Sequence, residues 1–92
     1  MPTWLIIADE TVTADGEAPL RQIKVIKPVP GNKSREEALV ELYKTAKNHV
    51  PDSLKGTPRV VGRDIDGSFW VIPKNGKGHA SCNIRLIEQI YP

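Results

Sequence analysis

The segment from Ser34 to Val50 predicts an amphipathic helix, and it restricts the possible folds of this chain more than any other feature. Ser34 is followed three residues later by Glu37, a capping-box pattern in which each side chain accepts a hydrogen bond from the other residue's backbone N–H. Apolar side chains then recur at the helical period along one face, at Leu39, Leu42, Tyr43, Ala46 and Val50. Pro51 ends the helix, so one helix must pack against whatever the remaining residues form.

The residues before the helix predict two antiparallel strands. Thr3 to Asp9 places apolar side chains on both of its faces, which is typical of a strand inside a sheet that is covered on two sides. Leu20 to Val29 alternates along its length and ends where Pro28 and Pro30 interrupt it. The polar stretch between the two strands contains turn-forming residues, so we expect it to join them.

The residues after the helix predict three further strands. Arg59 to Ile65 and Ser68 to Pro73 are expected to form a hairpin about Asp66-Gly67, a dipeptide suited to a tight primed turn. Residues 80–91 allow two interpretations, because the apolar positions alternate as in a strand but also fit a helical stripe. Their isoleucine content and the turn that precedes them favour a strand.

The element order is therefore β-β-α-β-β-β, which predicts an α+β fold with a mostly antiparallel sheet and the helix packed on one face. Residues 1–92 are expected to form a single domain, because 92 residues leave no room for two cores. If the first strand lies centrally and pairs with the last, this order resembles the β-grasp arrangement of ubiquitin-like domains. The alternative is a five-stranded sheet or half-barrel with another strand order.

Cysteine usage and hydropathy indicate a cytoplasmic protein. Cys82 is the only cysteine, so no intramolecular disulfide can form and a reducing compartment is expected. The apolar run from Trp4 to Ala8 is too short for a signal-peptide core or a membrane span. We therefore expect no membrane partner.

The net charge of +2 is too small to imply a polyanionic partner, but basic residues are concentrated in one stretch. This candidate basic surface for nucleic acid or another polyanion comprises Arg21, Lys24, Lys27, Lys33 and Arg35, with no acidic residue among them. Strand alternation places Lys24 on one face, and Arg21 and Lys27 on the other. The stretch also lacks aromatic residues for base stacking, so solvated lysines that protect a sheet edge are the simpler interpretation.

The loop after the predicted hairpin is a candidate anion-binding site. Gly76 and Gly78 would let backbone N–H groups converge on an anion, and the flanking polar residues would add charge or hydrogen bonds: Lys74, Asn75, Lys77 and His79. The glycine spacing differs from that of a nucleotide-hydrolase phosphate loop. Any exposed hairpin tip uses similar residues, which is the competing interpretation.

No residue pattern in the chain predicts catalysis, a metal or a cofactor. His79 and Cys82 would face opposite sides of a strand, and no third group orients the imidazole, so Cys82 is expected to be a small buried side chain. The only imidazole and thiol ligands are His49, His79 and Cys82, fewer than a structural zinc site needs. Asp64 to Gly67 begins like a calcium loop but lacks its later acidic ligands.

Phe69 and Trp70 are adjacent in a predicted strand, so their rings should lie on opposite faces of the sheet. If the helix covers one face, one of these rings lies on the other face, where it is either shielded by loops or exposed as a contact with a protein partner or a homodimer. Because the chain has few aromatic residues, the simpler interpretation is that both rings belong mainly to the core. The sequence thus favours a non-catalytic protein-binding or adaptor module. A nucleic-acid or polyanion binder is the alternative, and a small enzyme that uses Cys82 and His79 ranks third.

Overall fold

The computed structural model describes residues 3–13, 18–74 and 80–91, which form five strands, one α-helix and a short 3-10 helix at Asp52–Leu54. The elements are β1 (Thr3–Val12), β2 (Leu20–Val29), α1 (Arg35–Asn48), β3 (Arg59–Arg63), β4 (Phe69–Pro73) and β5 (Ala80–Gln89). The α+β class and the predicted element order are confirmed, and the last segment is a strand. Within the described ranges, no helix is both long enough and apolar enough to cross a membrane.

The five strands form one antiparallel sheet in the order β2-β1-β5-β4-β3. β1 pairs with β2 on one side and with β5 on the other, so it lies inside the sheet as predicted. The first and last strands pair with each other, but that pairing alone does not establish a β-grasp domain. The two edge strands are β2 and β3.

A β-bulge interrupts the pairing of β1 with β2. Ile6 lies opposite Lys27, whereas Ile7 lies opposite Val25, so Ile26 is an extra residue in β2. A bulge adds one residue to one strand and shifts the alternation of every side chain beyond it. The side chains on the two sides of Ile26 therefore follow different alternation patterns.

Because of the bulge, the prediction that Lys27 shares a face with Arg21 is wrong. Lys27 was expected on the same face as Arg21, but it lies on the helix side of the sheet, where its Nζ donates to Glu41 Oε2 of α1 at 3.0 Å. The extra residue at Ile26 moved it there. Lys27 thus helps to dock α1 and does not extend a basic surface around Arg21.

The predicted capping box begins α1. Ser34 Oγ accepts a hydrogen bond from the Glu37 backbone N–H, and Glu37 Oε1 accepts one from the Ser34 backbone N–H, both at 3.1 Å. These bonds satisfy two backbone donors that a helix start otherwise leaves without partners. At the other end, the His49 N–H donates to the Thr45 carbonyl at 2.8 Å.

The buried stripe of α1 is rotated from the predicted one. The helix buries Ala38, Leu42 and Ala46, which follow one another at intervals of four residues. Of the predicted stripe, three side chains are instead 36 to 41% exposed: Leu39, Tyr43 and Val50. Because Ala38 and Ala46 have small side chains, the helix axis can lie close to the sheet, and the helix contacts the sheet along the row of Ala38, Leu42 and Ala46.

The hydrophobic core lies between α1 and one face of the sheet. Its buried sheet residues are Ile6 and Ala8 of β1, Val29 of β2, Phe69 and Val71 of β4, and Cys82 and Ile84 of β5. Leu54, from the 3-10 helix, closes one end of this core. The helix α1 has 14 residues and is about 21 Å long, and it packs on this face alone. No described element covers the other face.

The β3–β4 hairpin has a longer loop than the predicted two-residue primed turn. The Asp64 N–H donates to the Ser68 carbonyl at 2.8 Å, and the Gly67 N–H donates to the Asp64 carbonyl at 3.0 Å. Gly67 has a φ of 90°, whereas no described residue other than glycine has a positive φ. A primed type I turn would need a positive φ at Asp66 as well, so the loop has three residues and ends on Gly67.

We predict that truncating Leu42 destabilises the protein far more than truncating Leu39. Leu42→Ala should lower the free energy of unfolding by about 2–5 kcal/mol, because its side chain is fully buried against the sheet. Leu39→Ala should cost less than about 1 kcal/mol, because that side chain is partly exposed. Urea denaturation of both variants measures the difference. Equal losses would show that α1 buries a different face.

Candidate functional site: the open face of the sheet

The sheet face opposite α1 is the candidate site, and we call it the open face. Residues that lie directly opposite each other on neighbouring strands have their side chains on the same face of the sheet. Leu5, Ile7 and Asp9 of β1 lie on the open face, and the strand register then gives the other members from strand to strand. The open face comprises Arg21, Ile23 and Val25 of β2; Leu5, Ile7 and Asp9 of β1; Asn83, Arg85 and Ile87 of β5; Trp70 and Ile72 of β4; and Val60 and Gly62 of β3.

Six large apolar side chains of the open face are 38 to 54% exposed. They form two groups on either side of a polar centre: Ile23, Val25 and Ile87 on one side, and Trp70, Ile72 and Val60 on the other. A single exposed apolar residue is ordinary in a folded protein, but several large ones grouped on one face are typical of a contact surface. No described segment covers either group.

The polar centre of the open face is one carboxylate held by two guanidinium groups. Arg21 donates from Nε to Asp9 Oδ1 at 2.8 Å and from Nη2 to Asp9 Oδ2 at 2.6 Å. Arg85 Nη1 donates to Asp9 Oδ2 at 3.2 Å. The hydrogen bonds from Arg21 are the main reason that the pKa of Asp9 lies below its ordinary value of 3.8; burial opposes this shift, and Arg85 adds to it. The cluster carries two positive charges and one negative charge.

Asn83 anchors this centre to the hairpin. Its Oδ1 accepts a hydrogen bond from Arg85 Nη1 at 3.0 Å, and its Nδ2 donates to Ser68 Oγ and to the Phe69 carbonyl, each at 3.1 Å. Asn83 is buried although it lies on the open face. Its amide therefore connects the arginine cluster on β1, β2 and β5 to the start of β4.

Ile7 is also buried although no second layer lies over it. Its cross-strand neighbours on the open face are Val25 and Arg85, whose side chains flank it. Long arginine side chains can cover apolar neighbours with their methylene groups while the charged end stays in water. This explains why β1 has apolar residues on both faces even though only one face meets the helix.

The two adjacent rings of β4 lie on opposite sides of the sheet. Phe69 is buried in the core, where it meets the Tyr43 ring edge-to-face with centroids 5.8 Å apart. Trp70 lies on the open face, and its Nε1 donates to Asp64 Oδ2 at 2.8 Å. Of the two residues predicted as a candidate interface, only Trp70 is therefore presented on the open face.

The structure does not bring the five residues of the candidate basic stretch together. Arg21 is bound to Asp9 on the open face, Lys27 is bound to Glu41 on the helix side, and Lys33 Nζ lies 3.9 Å from Glu37 Oε2. Lys24 lies on the helix side of β2, opposite Ala8, and Arg35 lies on α1 beside Trp4. Three of the five are thus paired with carboxylates, and the set is spread over both sides of the sheet.

The candidate anion loop falls mostly outside the described residues. Asn75, Lys77 and His79 belong to residues 75–79, which the structure does not describe. Lys74 is described and exposed, and its backbone N–H donates to the Pro58 carbonyl at 2.8 Å at the open end of the hairpin. The anion site therefore stays a prediction.

Cys82 is fully buried beneath α1, as predicted. Burial, with smaller contributions from the carboxylates of Glu10 and Asp9, raises the pKa of its thiol to about 11. A buried thiol with a raised pKa is a poor nucleophile. Within the described ranges, no group of three or more His, Cys, Asp and Glu residues is placed to hold a metal ion.

The sequence did not identify the centre of the open face, although it contained one signal. Asp9 follows a run of apolar strand residues, and a carboxylate at such a position needs a partner to offset its burial. Arg21 and Arg85 are its partners, from 12 and 76 positions away, and only the register of β1 with β2 and with β5 brings the three side chains together.

Comparisons with known proteins give no relative from which a role could be transferred. No model of a known protein family matches the chain, and neither a curated protein nor a solved structure matches it. The assignment of a function therefore depends on the geometry of the open face.

We predict that Asp9→Asn destabilises the protein in a pH-dependent way. At pH 7 the loss should be about 1–2 kcal/mol, because charge-assisted hydrogen bonds are lost but Arg21 is largely solvated. The pKa of Asp9 is lower in the folded state than its ordinary value of 3.8. Its contribution to the free energy of unfolding is therefore complete above pH 3.8, and it disappears as the pH falls through the folded-state pKa.

Denaturation curves of wild type and Asp9→Asn at several pH values measure this effect. The difference in free energy of unfolding between wild type and Asp9→Asn should become smaller below pH 3.8. Glu88→Gln, which changes an exposed carboxylate on β5 that has no described ion-pair partner, serves as the control and should stay close to wild type. A difference that is independent of pH would contradict an ionised Asp9 at the centre of the cluster.

Proposed function

We propose that this chain is a non-catalytic protein-binding module whose contact surface is the open face. One observation carries the proposal: six large apolar side chains lie exposed on a single sheet face, around a cluster of two arginines and one aspartate. Tryptophan and arginine are the residue types that contribute most often to binding energy at protein interfaces. The lone, buried Cys82 is consistent with a cytoplasmic location for such a module.

The size of the open face suits a specific interface. Strands of 10 and 5 residues, at about 3.3 Å per residue and about 4.8 Å between strands, give a face of roughly 600 Å². Stable protein complexes bury about 800 Å² on each partner. The open face and the side chains at its rim therefore supply an area of the right order for one partner protein.

The charge of the open face favours a partner other than a second copy of this chain. The two guanidinium groups of Arg21 and Arg85 outnumber the carboxylate of Asp9, so the polar centre has a net charge of +1. Two copies packed face to face would bring these like charges together, at a cost in free energy. A partner surface with apolar side chains around a carboxylate would complement both the apolar groups and the polar centre.

The polyanion alternative has less support in the described residues. Its basic residues lie on both sides of the sheet, and three of them are paired with carboxylates. Polyanion binding needs several cations that act together on one surface. The open face instead exposes six large apolar side chains around a single arginine cluster.

The test compares two matched isoleucine substitutions. Ile23→Asp places a charge in one apolar group of the open face, whereas Ile65→Asp changes a fully exposed side chain in the β3–β4 loop. Proteins retained from an extract of the source organism by immobilised wild type are quantified against both variants. We expect at least one protein that Ile65→Asp retains at the wild-type level and that Ile23→Asp loses. Ile72→Asp, in the other apolar group, should lose the same protein.

Light scattering of the purified chain completes this test. We expect a monomer, because the partner is a different protein. A dimer that Ile23→Asp dissociates would keep the open face as an interface but show that our charge argument for a different partner is wrong. A wild-type monomer that retains no protein, or retained proteins that bind all variants equally, would overturn the proposal.

A further inference from the structure

A groove on the helix side of the sheet is separate from the open face. Its walls are α1 and the β3–β4 hairpin, and it encloses a cavity of about 560 Å³. We call it the helix groove, and its lining residues are Leu39, Val40, Tyr43, Arg63, Gly67 and Phe69. The rotation of α1 onto Ala38, Leu42 and Ala46 leaves these helix side chains out of the core. The groove is therefore a direct consequence of how the helix packs.

Two cations lie against the aromatic rings of this groove. Arg63 Cζ is 5.3 Å from the Phe69 ring centroid and 5.6 Å from that of Tyr43, and Lys47 Nζ is 5.3 Å from the Tyr43 centroid. Neither cation forms a salt bridge with a carboxylate of the described residues. Apolar walls combined with two such charges suit a ligand that has both a large apolar group and a carboxylate.

The groove continues along the outer strand of the hairpin. A second cavity, of about 380 Å³, is lined by Tyr43, Lys47, Val61, Arg63 and Phe69, so the two cavities share three residues. Val61 and Arg63 belong to β3, the edge strand of the sheet. The path of the combined groove therefore runs beside the free edge of β3.

The outer edge of β3 has backbone groups available for pairing. The Asp64 N–H donates to the Ser68 carbonyl, and the Pro58 carbonyl accepts from the Lys74 N–H. At both ends of β3, these backbone groups of Asp64 and Pro58 therefore point towards β4. Because such bonds alternate along an antiparallel pair, the N–H and carbonyl groups of Val61 and its neighbours two residues away point outward. No described strand pairs with this edge.

The opposite edge of the sheet is less suited to pairing. β2 contains Pro28, which has no N–H, the bulge at Ile26 and the exposed Lys24. Proline, bulges and lysine are the features with which proteins prevent an edge strand from pairing. β3 lacks both proline and a bulge, so it is the edge at which an added strand fits.

We propose that the helix groove binds an extended acidic segment of a partner protein, which pairs with the outer edge of β3. The segment places one large apolar side chain against the exposed side chains of Leu39, Val40 and Tyr43, and a carboxylate beside Arg63 and Lys47. Main-chain pairing supplies affinity in this mode of recognition, and the side-chain pocket supplies specificity. This proposal goes beyond the proposed function, because the groove and the open face lie on opposite sides of the sheet.

Selection of random decapeptides displayed on phage against the immobilised chain tests this inference. We expect the selected peptides to share an aromatic or aliphatic residue with Asp or Glu within a few positions, and to compete with one another. Binding of a fluorescently labelled selected peptide, followed by anisotropy, should weaken by about tenfold or more in Val40→Glu and in Arg63→Glu. Ile23→Asp, on the open face, should bind this peptide like wild type.

A charge exchange separates the proposal from a loss of folding. The peptide in which the acidic residue is replaced by Lys should bind Arg63→Glu better than it binds wild type. The proposal is overturned if no peptide is selected, or if the selected peptides are basic. It is equally overturned if their binding is abolished by Ile23→Asp but unaffected by Arg63→Glu. The last result would instead place peptide binding on the open face.

Discussion

The single helix is the constraint on which the rest of this structure depends. α1 packs through Ala38, Leu42 and Ala46 onto one face of a five-stranded sheet, and no second α-helix is present in the described ranges to cover the other face. Ala38 and Ala46, one helical turn or so on either side of Leu42, let the helix approach β4 and β5 closely. This arrangement has two consequences. The face opposite α1 is left without a second layer, and Leu39, Val40 and Tyr43 are left out of the core to line a groove.

The arginine cluster shows how the sheet maintains an open face in water. Asp9 sits within β1 and would be costly to bury alone, but Arg21 and Arg85 bind it from the strands on either side. Their side chains connect β2, β1 and β5 across the sheet, and Arg85 also flanks Ile7. Asn83 continues these contacts to the hairpin. The same residues give the face its net positive centre, so the features that stabilise the open face also set the charge that the proposed partner would have to complement.

Local sequence signals were sufficient for the elements but not for their packing. The capping box involves only Ser34 and Glu37, and the alternation in the last segment is a pattern of neighbouring residues. The structure confirms the helix and the strand that these two local patterns predict. The bulge at Ile26, the rotation of α1 and the pairing of Arg85 with Asp9 depend on register between distant segments. No short pattern encodes that register, so Lys27 was assigned to the wrong face. Alternation alone predicts that the rings of Phe69 and Trp70 lie on opposite sides of the sheet, but the packing of α1 decides which of them is on the open face.

One face of the sheet is open to solvent in the monomer. Isoleucine methyl groups report on this directly, because they occur on both sides of the sheet. In NMR spectra of the methyl-labelled monomer with a soluble paramagnetic agent, Ile23, Ile72 and Ile87 should show strong relaxation enhancement, whereas Ile6 and Ile84 should show little. If the methyl groups of Ile23, Ile72 and Ile87 are as protected as those of Ile6 and Ile84, a further part of the chain covers the face and the account is wrong.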